Sequence, residues 1–129
     1  MFTLDQIQNA HSQVKTGADF PAYIQAIKQL GVTHYETYVQ DGHICYYGEI
    51  NHEVMVPAKY TALSVAESAN QEGFHAALVA HQQGKTDFLT FIHDCAANGI
   101  NKWEINMEKM TCIYFDKQGK MVLEEIIPE

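Results

Sequence analysis

Internal self-similarity constrains the fold of this chain more than any other feature of its sequence. When the chain is aligned with itself at an offset of 68 positions, Asp19-Phe20 meets Asp87-Phe88 and Glu36 meets Glu104. Neighbouring apolar positions are exchanged conservatively: Tyr23 with Phe91, Val32 with Ile100, Tyr35 with Trp103, Val39 with Met107, and Tyr47 with Phe115. Similarity at a fixed offset is typical of repeated structural units. We therefore expect two copies of one unit, at about residues 3–56 and 69–127.

Each copy shows the same order of helix and strand signals. A capping box of Thr3 and Gln6 predicts the start of the first helix, and Gly17 predicts its end. A second helix, an alternating strand, a hairpin partner and a third strand over residues 50–56 follow. The order α-α-β-β-β, found twice, predicts an α+β fold with an antiparallel sheet and helices packed on one face. We expect residues 1–129 to form a single domain.

The charge balance argues against nucleic acids and anionic membranes as partners. Sixteen acidic residues outweigh eight basic ones, and all eight bases are Lys. A net charge of −8 repels polyanions, and the chain has no Arg to make bidentate contacts with phosphates or guanine. No apolar run is long enough to cross a bilayer, and the first residues lack the pattern of a signal peptide. These features predict a soluble, cytoplasmic protein.

Several stretches of the chain resemble a known family. They are HSQVKTGADFPAYIQ, LGVTHYETYVQDGHICYYG, HQQGKTDF, KWEINMEKMTCIYFDKQGK and the closing EEIIP. These stretches are similar to the YbcV-like family of small bacterial and prophage-borne proteins, which are sometimes labelled "phage envelope protein". The resemblance extends over nearly the whole chain. It implies a domain of unknown function, with no catalytic residues to carry over.

The histidines and cysteines do not form a recognisable metal or nucleophile motif. The chain lacks H-E-x-x-H and C-x-x-C, so we predict neither a bound metal nor another cofactor. A site assembled from the distant His34, His43 and His52 is the alternative. Cys45 and His43 are a second alternative, because a Cys–His pair is the minimal activated thiol. The residue pattern favours a Cys45 that packs among tyrosines.

The repeated acidic positions give the candidate site. Alternation places Tyr35 and Trp103 on the core side of their strands, and places Glu36 and Glu104 on the other side. Fusion of two copies would bring equivalent strands together about a pseudo-twofold axis. If a ligand site exists, we expect it near this axis. It would use four residues: His34, Glu36, Lys102 and Glu104.

Two functional interpretations follow from these features. The first is a small non-catalytic binding or interaction protein whose partner is an unknown protein or small molecule. The second is a small enzyme or ligand-binding protein with an acidic and histidine-lined cleft between the repeats. A pocket holding paired carboxylates would favour the second, and an exposed apolar patch would favour the first. The sequence leaves the formation of a homo-oligomer open.

Overall fold

A computed structural model describes residues 2–14 and 19–127. The predicted first-helix stop at Gly17 lies outside the described residues. In chain order the elements are α1 (Leu4–His11), α2 (Phe20–Leu30), β1 (His34–Tyr38), β2 (Ile44–Tyr47), β3 (Glu53–Val56), α3 (Gln71–Gln82), α4 (Phe88–Ala97), β4 (Lys102–Asn106), β5 (Thr111–Phe115) and β6 (Met121–Ile126). The α-α-β-β-β order predicted for each half is confirmed.

Local signals account for several of these boundaries. The Thr3 hydroxyl accepts a hydrogen bond from the backbone N–H of Gln6, whose side chain accepts one from the backbone N–H of Thr3, so the predicted capping box starts α1. Asp87 starts α4 by accepting a hydrogen bond from the backbone N–H of Thr90 at 2.8 Å. The third strand is shorter than residues 50–56, because Ile50 and Asn51 have positive φ angles of 57° and 61°. Extended pairing therefore begins only at Glu53.

The strands form one six-stranded antiparallel sheet in the order β3-β2-β1-β4-β5-β6. Each half contributes three adjacent strands, and β1 of the first half pairs with β4 of the second. Backbone hydrogen bonds repeat at the offset of 68 seen in the sequence. The repeated bonds are Val32 N to Ile27 O with Ile100 N to Cys95 O, Thr33 N to Tyr47 O with Asn101 N to Phe115 O, and Val39 N to Asn101 O with Met107 N to Thr33 O.

All four helices lie on one face of the sheet and enclose the core. The Tyr23 hydroxyl of α2 hydrogen-bonds with that of Tyr46 in β2 at 2.7 Å. In the second half, Phe74 of α3 packs against Tyr114 of β5, with ring centroids 4.7 Å apart. Tyr35 is buried as predicted, but Trp103 is only partly buried at the margin of the core. None of the helices in residues 2–14 and 19–127 is long and apolar enough to span a membrane.

Candidate functional site

The contact between β1 and β4 places the two repeated carboxylates side by side. These strands are antiparallel, and Glu36 is directly opposite Glu104, while His34 is opposite Asn106 and Tyr38 is opposite Lys102. Residues directly opposite in such a pair project from the same face, with Cβ atoms about 5 Å apart. The flanking Tyr35 and Ile105 are buried in the core. Glu36 and Glu104 therefore project from the face that the helices leave uncovered, which we call the open face.

Glu36 is the centre of a cluster of polar and aromatic side chains. Its Oε2 atom accepts a hydrogen bond from the Lys102 ammonium at 2.5 Å and another from the Tyr38 hydroxyl at 3.1 Å. The Lys102 nitrogen also lies 5.8 Å from the centroid of the Tyr38 ring and 5.5 Å from that of Phe115. Burial and the Glu36 carboxylate raise the pKa of the Tyr38 phenol to about 12. The charge of Glu36 is thus balanced within the protein, and Tyr38 stays protonated at neutral pH.

Glu104 has different surroundings. The residue is partly buried, and within the described part of the chain no hydrogen bond or ion pair engages its carboxylate. The His34 ring stacks on Tyr47 at 4.6 Å with an interplanar angle of 12°, and its Nδ1 lies 3.2 Å from the Thr33 hydroxyl. The structure therefore brings His34, Glu36, Lys102 and Glu104 onto adjacent strands, but only Glu36 and Lys102 form an ion pair.

Sequence reasoning missed the aromatic side chains that surround these four residues. Tyr38, Tyr47 and Phe115 contact the candidate residues on the open face. The exchange of Tyr47 for Phe115 at the offset of 68 was the available signal, because it marks one sheet position in both copies. Their roles became clear only from the register, which sets Tyr47 opposite His34 and Phe115 opposite Lys102.

Comparison with known families gives a match over most of the chain. The family described as "Protein of unknown function (DUF1398)" matches residues 8–126. The chain belongs to this family. No match is found among curated proteins. The family description supplies no chemistry for this DUF1398 chain, so its function has to be argued from the side chains themselves.

The Cys–His alternative is not supported by the geometry of this DUF1398 chain. Cys45 is buried, and burial together with the charges of Glu53 and Glu36 raises the pKa of its thiol, despite a hydrogen bond from Tyr47. His43 interacts elsewhere, with its Nδ1 2.6 Å from an Asp41 carboxylate oxygen. A nucleophilic cysteine needs the thiolate, which a raised pKa disfavours.

The three histidines of the metal alternative are engaged separately. His34 stacks on Tyr47, His43 stacks on Tyr38 at 4.2 Å, and His52 Nε2 lies 2.7 Å from the backbone carbonyl of Phe2. Over residues 2–14 and 19–127, no group of three or more His, Cys, Asp or Glu side chains converges as a metal site would require. The described geometry therefore supplies no support for this alternative.

Two surface depressions lie away from the paired carboxylates. One, of about 300 Å³, is lined by Gln40, Leu63, Ser64, Val65, Glu67, Asn101 and Lys117. The other, of about 260 Å³, is lined by Ala10, Gln13, Val14, Asp19, Ala22, Tyr23 and Ala26. Neither depression includes any of the four candidate residues. The four candidate residues are partly buried and lie on the open face of the sheet rather than in the wall of either depression.

Proposed function

We propose that this DUF1398 chain is a small, non-catalytic cytoplasmic binding protein that uses the open face of its sheet to contact a partner. One observation carries the proposal: the four helices cover one face, and the opposite face presents aromatic, charged and apolar side chains to the surroundings. Along the strands of an antiparallel sheet with one solvated face, apolar residues that face the core usually alternate with polar residues that face solvent. The open face departs from this pattern because it also carries large exposed apolar side chains.

Exposed apolar side chains support the assignment. Met55, Met121 and Ile126 have 58%, 61% and 76% of their surface exposed. The register places Met55 opposite Cys45, Met121 opposite Phe115, and Ile126 opposite Thr111. Large exposed apolar side chains grouped around polar ones are a common feature of protein contact surfaces. The open face therefore has exposed apolar side chains on both edge strands, next to the exposed acidic residues Glu53 and Glu124.

Two groups of the open face that could act in catalysis are in unsuitable states. The Glu36 carboxylate is already paired with Lys102, and burial raises the pKa of the Cys45 thiol. General bases and nucleophiles need an accessible, suitably charged form. As the resemblance of the sequence implies, we further propose that the chain is of the YbcV-like type and prophage-associated.

A second candidate function is binding of a small ligand by His34, Glu36, Lys102 and Glu104, in a ligand-binding protein or small enzyme. The observation that favours it is the direct pairing of Glu36 with Glu104 at the junction of the two halves. A carboxylate pair beside imidazole and ammonium groups could bind a molecule with both donor and acceptor groups. We rank it second because the two surface depressions described above do not contain these residues.

Site-specific photo-crosslinking in cells tests the first proposal. A benzophenone amino acid replaces Met55 or Ile126 on the open face, and replaces Leu89 of α4 as a matched control. Leu89 is 55% exposed, close to the 58% of Met55, but lies on a helix. We expect adducts of discrete mass from Met55 and Ile126 and none from Leu89. Equal adducts from all three positions, or none from the open face, would refute the proposal.

A further inference from the structure

The ion pair between Lys102 and Glu36 shows how this face holds an ammonium group. The Lys102 nitrogen is 2.5 Å from a Glu36 oxygen and lies within 6 Å of the ring centroids of Tyr38 and Phe115. A carboxylate and aromatic ring faces together attract an ammonium more strongly than either does alone. At the junction of the two halves, the surroundings of Glu36 thus form an ammonium site, and the Lys102 side chain of the protein itself occupies it.

The other half has the same framework without such a side chain. At the offset of 68, Glu104 corresponds to Glu36, and Tyr47 takes the place of Phe115. His34 takes the place of Lys102: each is opposite its aromatic partner in the hairpin, Tyr47 or Phe115. Asn106 takes the place of Tyr38 and lies opposite His34. The backbone therefore presents Glu104 as it presents Glu36, and the aromatic ring of Tyr47 lies against His34 on the neighbouring strand.

Position 34 is His, whereas the equivalent position 102 is Lys, and this difference changes what Glu104 can bind. The imidazole ring of His34 lies against Tyr47 and Thr33, and within the described residues no cationic side chain pairs with Glu104. A carboxylate that has no partner within the protein is available for a charge-assisted hydrogen bond from a cation that reaches it. A divalent metal is a poorer fit, because stable metal sites need several converging ligands.

We infer that Glu104, with Asn106 on its own strand and the Tyr47-stacked His34 on the adjacent strand, forms a binding subsite for a primary alkylammonium group. The inference rests on the proposed open-face binding function and names the chemistry recognised there. A lysine side chain of a partner and a free aliphatic amine share this chemistry. Their charge is also complementary to the net charge of −8 of the chain.

Titration of the full chain with two probes tests the subsite and distinguishes the sources. The probes are 1,5-diaminopentane and an N-acetylated, C-amidated Gly-Lys-Gly peptide, followed by backbone amide NMR at constant ionic strength. We expect saturable shifts at His34, Asn106 and Ile113 with at least one probe. Tighter binding of the peptide would indicate a partner's lysine as the source, and tighter binding of the diamine a free amine. Absence of saturable shifts with both would overturn the inference.

Matched variants separate a specific contact from general attraction to an acidic protein. Glu104→Gln should weaken binding about ten-fold, the loss expected for one charge-assisted contact. Glu72→Gln removes the same charge from the exposed surface of α3 and should leave affinity unchanged. Equal effects of both variants, or none from Glu104→Gln, would overturn the inference. An unchanged amide spectrum away from β4 checks that the variant is folded.

The internal ion pair supplies an independent test by stoichiometry. Lys102→Met removes the ammonium that occupies Glu36, so the variant should bind two equivalents of the probe instead of one. A single equivalent would contradict the correspondence between the halves. The crosslinking experiment separates the two proposals. If the chain binds no amine but adducts at Met55 and Ile126 still form, also in Glu104→Gln, only the subsite is refuted. If adducts at the open face are missing from the wild-type chain, the open-face function fails whatever the amine titration shows.

Discussion

The hydroxyl groups of Tyr23 and Tyr46 depend on each other for a hydrogen-bond partner. They lie 2.7 Å apart where α2 crosses β2, and the two residues are 6% and 2% exposed. Burial raises the pKa of both phenols, so both remain protonated. A buried hydroxyl without a partner costs more than an absent hydroxyl, because its desolvation is no longer compensated. The contribution of the Tyr23–Tyr46 hydrogen bond can therefore be measured by comparing the removal of one hydroxyl with the removal of both.

We expect Tyr46→Phe to lower the free energy of unfolding by about 1–2 kcal/mol, because it leaves the Tyr23 hydroxyl buried alone. The double variant Tyr23→Phe with Tyr46→Phe should be no less stable than either single variant, since it removes both polar groups. Urea denaturation of the four proteins of this cycle gives the coupling energy. Strictly additive losses would show that the two hydroxyls do not interact.

At the scale of elements, α2 and α4 are each followed by a glycine with a left-handed backbone conformation, but the two glycines have different surroundings. Gly31 and Gly99 have left-handed φ angles of 109° and 79°, which glycine adopts without a steric penalty. A Cβ atom on Gly31 would lie 3.8 Å from a carbon of Phe2, which is ordinary contact. A Cβ atom on Gly99 would lie 2.5 Å from the backbone oxygen of Ser68. The segment between the halves is therefore packed directly on the end of α4.

We expect Gly31→Ala to destabilise the protein by about 1–2 kcal/mol through backbone strain alone. Gly99→Ala should cost at least about 1 kcal/mol more, because Ser68 and its neighbours must also move. Thermal and urea unfolding of the two variants provide the comparison, with the equivalent position serving as the control. Equal losses of stability would mean that the segment around Ser68 moves without an energetic penalty and does not stabilise the end of α4.

At the scale of the whole molecule, the pairing of β1 with β4 joins the halves. These strands occupy the middle of the sheet, and β3 and β6 form its edges. The amides of Val39 and Met107 cross this junction, donating to Asn101 and Thr33 at 3.0 Å each. Exchange of such central amides requires opening of the interface between the halves, whereas edge amides need only local fraying.

We expect hydrogen exchange to be slowest for the amides that pair β1 with β4 and fastest for those of β3 and β6. The central amides should exchange through global unfolding, so their free energy of opening should equal that from urea denaturation. Amide-resolved exchange by NMR measures both quantities. Junction amides that exchange faster than those within β1–β2 and β4–β5 would instead indicate halves that separate before they unfold.

Local patterns in the sequence were sufficient to predict the elements and their arrangement in layers. The capping box at Thr3 and the alternation in both copies depend on neighbouring residues only. The repeat at an offset of 68 predicted two equivalent halves, and the helices lie on one face as expected. The third strand was predicted too long because positive φ angles at Ile50 and Asn51 are not encoded in apolar periodicity.

The tertiary structure decided what the repeat means at the centre of the sheet. The sequence alone determined that Glu36 and Glu104 are equivalent, but strand order and register set them opposite each other. Pairing between β1 and β4 joins residues about 68 positions apart, and no local signal specifies such a register. The Lys102 ammonium reaches Glu36, while the shorter His34 ring lies against Tyr47. Side-chain length and cross-strand packing therefore made two equivalent positions chemically different.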